Sequence, residues 1–411
     1  MTTPNGARRV VVTGQGVVSA IGTGVDAFWS SMREGRSGIG PITNIDLQDL
    51  YITIAGEVKD FDPRERCPSK PLLLADRYSQ FAGAAAIEAM NQAGFDGPLE
   101  DGYRASSIIG SGIGGLSTME QGYVDLFIHK KKATHPLTLL RTIASSAAAH
   151  ISIAYGIKGP CFGTVSACAT AAHAIGLTFQ MVRSGMVDVG VAGASEACLT
   201  FGSLRSWQAM RVLSPEGCYP FAKRRNGTVL AEGAGMLVLE ELEHARARGA
   251  MPIAELVGFG MTSDAADMVN PSIEGPTVAM QLALSDARLG PGDIDYINAH
   301  GTATTLNDIN ETRAIRRVFE DKADRISVSS TKSMHGHCLG AGGGVEAVAC
   351  IKAIEENFAP PTIGFDEPGD ECDLDYTPNE GRSREINYAM SNSFAFGGLN
   401  AVLVFGPPPA A

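Results

Sequence analysis

Short apolar runs alternate along the chain with longer stretches whose apolar positions recur at helical spacing, and small residues are common in both. That alternation predicts interleaved strands and helices. Residues 8–13 (RRVVVT) predict a strand leading into a glycine-rich turn, and 26–33 a helix. Residues 75–94 predict a long helix stopped by glycine, 106–110 (SSIIG) a buried strand, and 139–155 a second small-residue helix. Strands follow at 187–193, 235–240, 294–299, 326–329 and 401–405, and helices at 274–287, 308–318 and 344–356. Elements that alternate at these lengths predict an α/β protein layered around parallel or mixed sheets. No long low-complexity linker interrupts the pattern and no short repeat is legible, so periodicity leaves the topology open.

The 411 residues are 44% hydrophobic and 19% charged, globular values with length enough for a large core or two fused domains. A net charge of −12 argues against nucleic-acid binding, but still allows an acidic partner to dock on a local basic patch. The eight cysteines, at 67, 161, 168, 198, 218, 338, 350 and 372, form no CxxC pair and no regular framework. They read as reduced thiols of a cytoplasmic protein. The start, MTTPNGARRVVVTGQGVV, lacks the apolar core and cleavage site of a secretory signal. No uninterrupted apolar window reaches the roughly 18 residues that span a bilayer, so no membrane partner is expected.

Four blocks carry candidate chemistry. Around Cys168 the chain reads GTVSACATAAHAIG (163–176), with small residues on both sides and an alanine-rich helix start after it. A cysteine there meets unsatisfied N–H groups and the positive end of the helix dipole, which favour the nucleophilic thiolate. Standing alone, it reads more readily as a buried core thiol than as a nucleophile, and the partners found downstream reverse that. Residues 298–304 (NAHGTAT) end a strand at His300 and turn through Thr302 and Thr304, placing an imidazole beside hydroxyls and backbone donors. A core histidine bonded to its own loop would look the same. Residues 329–346 carry Lys332 and His337 ahead of a glycine-rich helix start that contains Glu346. A lysine–carboxylate pair of this kind can fix an imidazole's orientation. In 392–400 (NSFAFGGLN), paired glycines beside Phe394 and Phe396 predict a tight turn whose backbone approaches a ligand and whose rings gate a tunnel.

Two other readings are weaker. HGHC (335–338) offers metal-ligand types without a clear third and fourth ligand at metal spacing, so His335 reads as a spare histidine and no metal is expected. GSGIGG (110–115) satisfies the dinucleotide-binding spacing after a strand. The acidic residue required about twenty positions later is missing, where the chain reads HKKKATHP.

Together the four blocks resemble the β-ketoacyl-acyl carrier protein synthases of the elongating, Cys-His-His kind. The match runs nearly end to end, from VVVTGQGVVSAIG through SACATAAHAIG and NAHGTAT to STKSMHGHCLGAGGGVEA and NSFAFGGLN. Initiating synthases of the related group carry Asn in place of the second histidine, here His337. The resemblance implies a thiolase-like α/β fold in five αβαβα layers and assembly as a dimer. Its two pseudo-symmetric halves would be 1–255, with Cys168, and 256–411, with His300, Lys332 and His337. It implies that Cys168 takes an acyl chain from the phosphopantetheine of an acyl carrier protein. A malonyl-carrier protein would then lose CO2 and attack the thioester, with no cofactor beyond the carried substrates. His300 and His337 would stabilise the enolate, with Lys332 and Glu346 as a supporting pair. The N–H groups of Cys168 and Phe396 would form the oxyanion hole. Thr302 and Thr304 would hold the pantetheine, Ile113, Trp207 and Phe394 would contact substrate, and Phe396 would gate the acyl tunnel.

Several positions depart from the family pattern. Of the basic cluster that docks the acidic carrier, Pro68-Ser-Lys-Pro keeps only Lys70, leaving Lys130, Lys131, Lys132 and Arg211 as further docking candidates. Asp267 stands in the entrance loop where histidine is common, and Ala395 and Leu399 where glycine and threonine are usual, which predicts a stiffer gate. Loops at 305–312 and 372–378 resemble type II polyketide and nodulation-type synthases, pointing toward specialised products. A non-catalytic chain-length-factor subunit would lack the cysteine. A homodimer, or the catalytic half of a heterodimer with such a subunit, both fit.

Overall fold

The computed structural model describes residues 8–67 and 69–410, so the first seven residues, Pro68 and Ala411 lie outside it. Its centre is one sheet of eleven strands in which each half of the chain supplies five principal ones. In the first half these are β1 (Val10–Ser19), β2 (Ala105–Gly110), β3 (Cys161–Phe162), β4 (Val189–Glu196) and β5 (Gly233–Glu241). In the second they are β6 (Ala254–Ser263), β7 (Tyr296–Asn298), β8 (Ser327–Ser329), β9 (Ala389–Ala395) and β10 (Leu399–Gly406). The spatial order is β3-β2-β4-β5-β1 in one half and β8-β7-β9-β10-β6 in the other, joined through β1 and β6.

The pairing repeats as well as the order. In the first half β3–β2 and β2–β4 are parallel, and β4–β5 and β5–β1 antiparallel. In the second, β8–β7 and β7–β9 are parallel, and β9–β10 and β10–β6 antiparallel. The halves meet in a short antiparallel pairing of Val11 with Glu255 and Val12 with Ala254. This is the pseudo-symmetry of a thiolase-like fold.

Helices complete the layers. Helix α1 (Arg77–Gln92) covers the outer face of β1 and β5, and α4 (Glu274–Ala287) that of β6 and β10. Between the half-sheets lie α2 (Thr170–Arg183) and α6 (Gly342–Glu356), which touch each other. Ala172, Ile175 and Phe179 of α2 and Val345, Val348 and Ile351 of α6 are buried in one apolar cluster with Leu237, Leu239 and Leu403 of the sheet. Helix α3 (Phe201–Met210) and helix α5 (Thr305–Phe319) flank the entrance described below.

Several predicted boundaries move. The glycine-rich stretch after residue 13 is strand rather than turn: β1 runs on to Ser19. A Cβ on Gly14 or Gly16 would stand 1.9 or 2.0 Å from a carbonyl oxygen of α1, so these glycines let the helix backbone lie against the strand. The predicted helix 139–155 is two helices, Thr138–Thr142 and Ser146–Tyr155, because Ile143 is extended and its carbonyl accepts the Tyr78 hydroxyl at 2.6 Å. The stretch 392–395 is strand, and only Phe396, Gly397 and Gly398 turn, the glycines at φ of 81° and 68°. Strand β6 and helix α3 escape prediction, the first because AELVGFGMTS has no clean alternation. No helix among the described residues is long and apolar enough to cross a membrane.

Candidate active site

Four strand ends and two helix starts converge on Cys168. The cysteine lies in a 3-10 turn, Ala167–Ala169, that opens directly into α2. Ala167 holds a left-handed φ of 47°, costly for a side-chain-bearing residue, so the turn is braced by its surroundings. Thr170 supplies part of the brace: its hydroxyl donates to the Ala167 carbonyl at 2.7 Å and accepts from the Ser166 N–H at 2.9 Å.

His300 follows β7 and His337 follows a short helix, Lys332–His335, after β8. Nε2 of His337 is 3.1 Å from Cys168 Sγ. The two imidazoles stand nearly perpendicular with centroids 5.5 Å apart, and Phe394 packs 6.1 Å from His300. The sulfur and one nitrogen of each ring lie within 4.8 Å of one another, so three chemistry-bearing atoms far apart in sequence share one point. Lys332 and Glu346 form a fully buried ion pair behind them.

Burial and that ion pair set the protonation states. Burial, followed by the Lys332 charge, pushes both His300 and His337 well below the usual imidazole range, so both are neutral near neutral pH. Burial pushes the Cys168 thiol up, to about 12, against the pull of Lys332 and of the Phe396 N–H. The thiolate expected from the helix start alone is therefore corrected: desolvation outweighs it, and the resting nucleophile is a thiol facing a neutral imidazole.

Two carboxylates that sequence reasoning passed over organise the site. Glu311 of α5 accepts the N–H groups of His300 and Gly301, each at 2.8 Å, and Asn392 Nδ2 at 3.2 Å. Glu196, at the end of β4, accepts the N–H groups of Gly112 at 2.8 Å, Ile113 at 3.3 Å and Gly340 at 3.1 Å, and the Ser111 hydroxyl at 3.0 Å. The GSGIGG amides thus already hold a protein carboxylate where a dinucleotide's phosphate would sit. A carboxylate at the end of an apolar strand was the available signal for Glu196; the predicted strand stopped at residue 193.

Burial raises both carboxyls, to about 7, from an ordinary 4.5. The folded state therefore binds more protons than the unfolded one between these values, and stability falls as pH rises through that window. The melting temperature should drop from about pH 5 to about pH 7 through these groups, and Glu311→Gln should flatten that slope. A slope identical in the variant would contradict it.

A cavity of about 290 Å³ leads from solvent to Cys168, His300 and His337. Trp207, Arg211, Thr302, Thr304, Phe394 and Phe396 all line it, as does Asp264. Thr302 and Thr304 join hydroxyls at 2.9 Å, and Trp207 lies 6.0 Å from Phe396. The turn at 396–398 is tied to the entrance loop: Gly397 N–H donates to Met268 and Asp264 N–H to Gly398, both at 2.9 Å, and Asn400 Nδ2 donates to Asp264 at 2.7 Å.

Other predicted residues lie elsewhere. Ile113 is not in this cavity; it is 42% exposed on the loop held by Glu196. Of the docking candidates, only Arg211 reaches the cavity mouth; Lys70, Lys130 and Lys132 are exposed away from its lining, and Lys131 pairs with Asp125 at 2.9 Å. Ala395 ends β9 in extended backbone that alanine adopts without strain. The HGHC stretch splits, with His335 turned to Thr331 at 3.1 Å and His337 to Cys168.

This fold with a cysteine and two histidines at its centre defines an acyl-condensing enzyme of the thiolase-like class. The chain belongs to the β-ketoacyl synthase family: residues 7–245 match the "Beta-ketoacyl synthase, N-terminal domain" and 253–366 the "Beta-ketoacyl synthase, C-terminal domain". It is 49% identical to "Nodulation protein E" of Rhizobium leguminosarum bv. trifolii, over 97% of this chain and 99% of that one. It is 42% identical to "3-oxoacyl-[acyl-carrier-protein] synthase 2" of Staphylococcus aureus (strain COL), over 97% and 98%. Among solved structures, "The ishigamide ketosynthase/chain length factor" superposes with a TM-score of 0.92 at 36% identity, covering 98% of this chain and 100% of that one.

Proposed function

We propose that the protein extends an acyl chain by two carbons through decarboxylative condensation with a malonyl group, both carried on acyl carrier protein. The observation that carries this is the 3.1 Å approach of His337 Nε2 to Cys168 Sγ, with His300 beside them at the end of a cavity. Cys168 attacks the acyl thioester. Its C–S bond to pantetheine breaks, and the thiol proton passes by way of His337 to the departing pantetheine sulfur. In the second half-reaction the malonyl C–C bond breaks, CO2 leaves, and the electron pair enters an enolate. Its oxygen is held by N–H groups of the two neutral imidazoles. The enolate carbon then attacks the Cys168 thioester. The resulting oxyanion is met by the N–H groups of Cys168 and Phe396. Its collapse breaks the C–S bond and expels the Cys168 thiolate, which takes one proton from solvent by way of His337 to return to the thiol. The electrons come from the malonyl bond and the nucleophile is a side chain, so the chemistry calls for no resident cofactor or metal.

Thr302 and Thr304 hold the pantetheine, Trp207 and Phe394 contact the chain, Phe396 gates, and Arg211 meets the carrier at the mouth. Carrier-borne substrates support a cytoplasmic location for the reaction. A second ketosynthase-type chain, identical or of the chain-length-factor kind, covers the face around edge strand β3. There Phe162, Val165, Ile153, Leu139 and Leu140 are exposed. The 36% identity to a ketosynthase/chain length factor supports the heterodimeric form, and the 49% identity to a nodulation protein supports a specialised product.

The test is intact-protein mass spectrometry after mixing with carriers bearing saturated and conjugated chains. A Cys168 adduct is expected, and preference for unsaturated chains would mark a specialised role. His300→Ala should lose malonyl decarboxylation by about a hundredfold or more, and self-acylation by less. His337→Ala, which also removes the relay for the thiol proton, should lose both steps by about a hundredfold or more. Equal losses in both steps for His300→Ala would contradict the division of labour.

A further inference from the structure

Glu196 is fully buried, accepts four hydrogen bonds and does not line the substrate cavity. The bonds are divided between its oxygens. Oε1 takes the Ser111 hydroxyl and the Ile113 N–H, and Oε2 takes the Gly112 and Gly340 N–H groups. Gly340 lies in the 3-10 turn Leu339–Ala341, which follows His337 by two residues and touches the Ala167–Ala169 turn that carries Cys168. Leu339 holds a left-handed φ of 45°, so this turn, like the cysteine's, is strained and needs an outside hold. The contact leaves no slack: a Cβ on Gly340 would stand 2.6 Å from the Gly112 nitrogen and 2.8 Å from Glu196 Oε2.

Resting on the ketosynthase reading above, we propose that Glu196 is a positioning residue. Its carboxylate clamps the Gly340 turn to the end of β2, and so fixes His337 at the separation from Cys168 that acyl transfer requires. Among the described residues no other side chain bridges these two segments by hydrogen bonds. An amide would keep most of the clamp. With its oxygen at the Oε2 position, glutamine still accepts from Gly112 and Gly340, and its NH2 faces a Ser111 hydroxyl able to turn and accept, so only the long bond from the Ile113 N–H is lost. Alanine removes both links.

Rapid-quench mass spectrometry of Cys168 acylation by an acyl carrier separates rate, amplitude and KM. Glu196→Ala should acylate to full amplitude with unchanged KM but about a hundredfold more slowly, the usual cost of a misplacement of about 1 Å. Glu196→Gln should recover to within about tenfold of wild type. Gly340→Ala, which wedges the clamp open and keeps the carboxylate, should also slow the step, and it stands in if Glu196→Ala does not fold. Wild-type rates in Glu196→Ala or Gly340→Ala would overturn the proposal. So would losses of rate that simply follow losses of amplitude, which would mean unfolding rather than mispositioning. A wild-type protein inert toward every carrier would overturn the ketosynthase reading itself, and is told apart by that control.

Discussion

Cys168→Ala is expected to take up no acyl group from any carrier and to retain its fold. The side chain is 6% exposed in a turn of small residues, and replacing a thiol by a methyl group there leaves only a small void. The stability cost should be about 1 kcal/mol, ordinary for a point change. The rate cost should be at least about a thousandfold, because among the described residues no other cysteine and no serine or lysine lines the cavity. Malonyl decarboxylation should persist in the variant, since the enolate is held by His300 and His337 rather than by sulfur. Carbon dioxide release from malonyl carrier, scored beside adduct formation, separates the two. Condensation by Cys168→Ala would remove the cysteine from the mechanism.

The second large effect belongs to Lys332. Lys332→Met strands the Glu346 carboxylate in a fully buried site where its second oxygen already has no partner. Breaking a buried pair from one side costs about 3–5 kcal/mol. Replacing both partners, as Lys332→Met with Glu346→Leu, should restore much of that stability, because an apolar pair needs no charge compensation. Activity should not return. Lys332 is what draws the Cys168 thiol down against burial and helps keep the two imidazoles unprotonated. Chemical denaturation and acylation rates on the single and double variants check both halves. A double variant that regains full activity would make the pair purely structural.

How far the sequence carried depended on what each residue answers to. Cys168, His300, Lys332, His337 and Glu346 stand in compact blocks beside glycines and small residues, and the structure brings all five together. The halves were foreseen only through the family resemblance, since strand order is a matter of long-range pairing that local pattern does not encode. β1 misled because glycine signals both turns and close approach, and only the presence of α1 against Gly14 and Gly16 decides between them. The protonation state of Cys168 was misjudged for a similar reason: the helix start is local, while burial comes from the whole core. Glu196 and Glu311 carried no motif at all. Most of their partners are backbone N–H groups, from 10 to 144 residues away, and backbone donors leave no mark in a sequence.

The most direct test of the account is to supply the protein with an acyl carrier and a malonyl carrier labelled at the carboxyl to be lost, and to follow carbon dioxide and product together. In the wild-type protein one labelled CO2 is expected for each β-ketoacyl carrier formed two carbons longer than the chain supplied, and in Cys168→Ala the longer chain is lost while CO2 release persists. In the wild-type protein, carbon dioxide without a longer chain, or a longer chain without loss of the label, would contradict it.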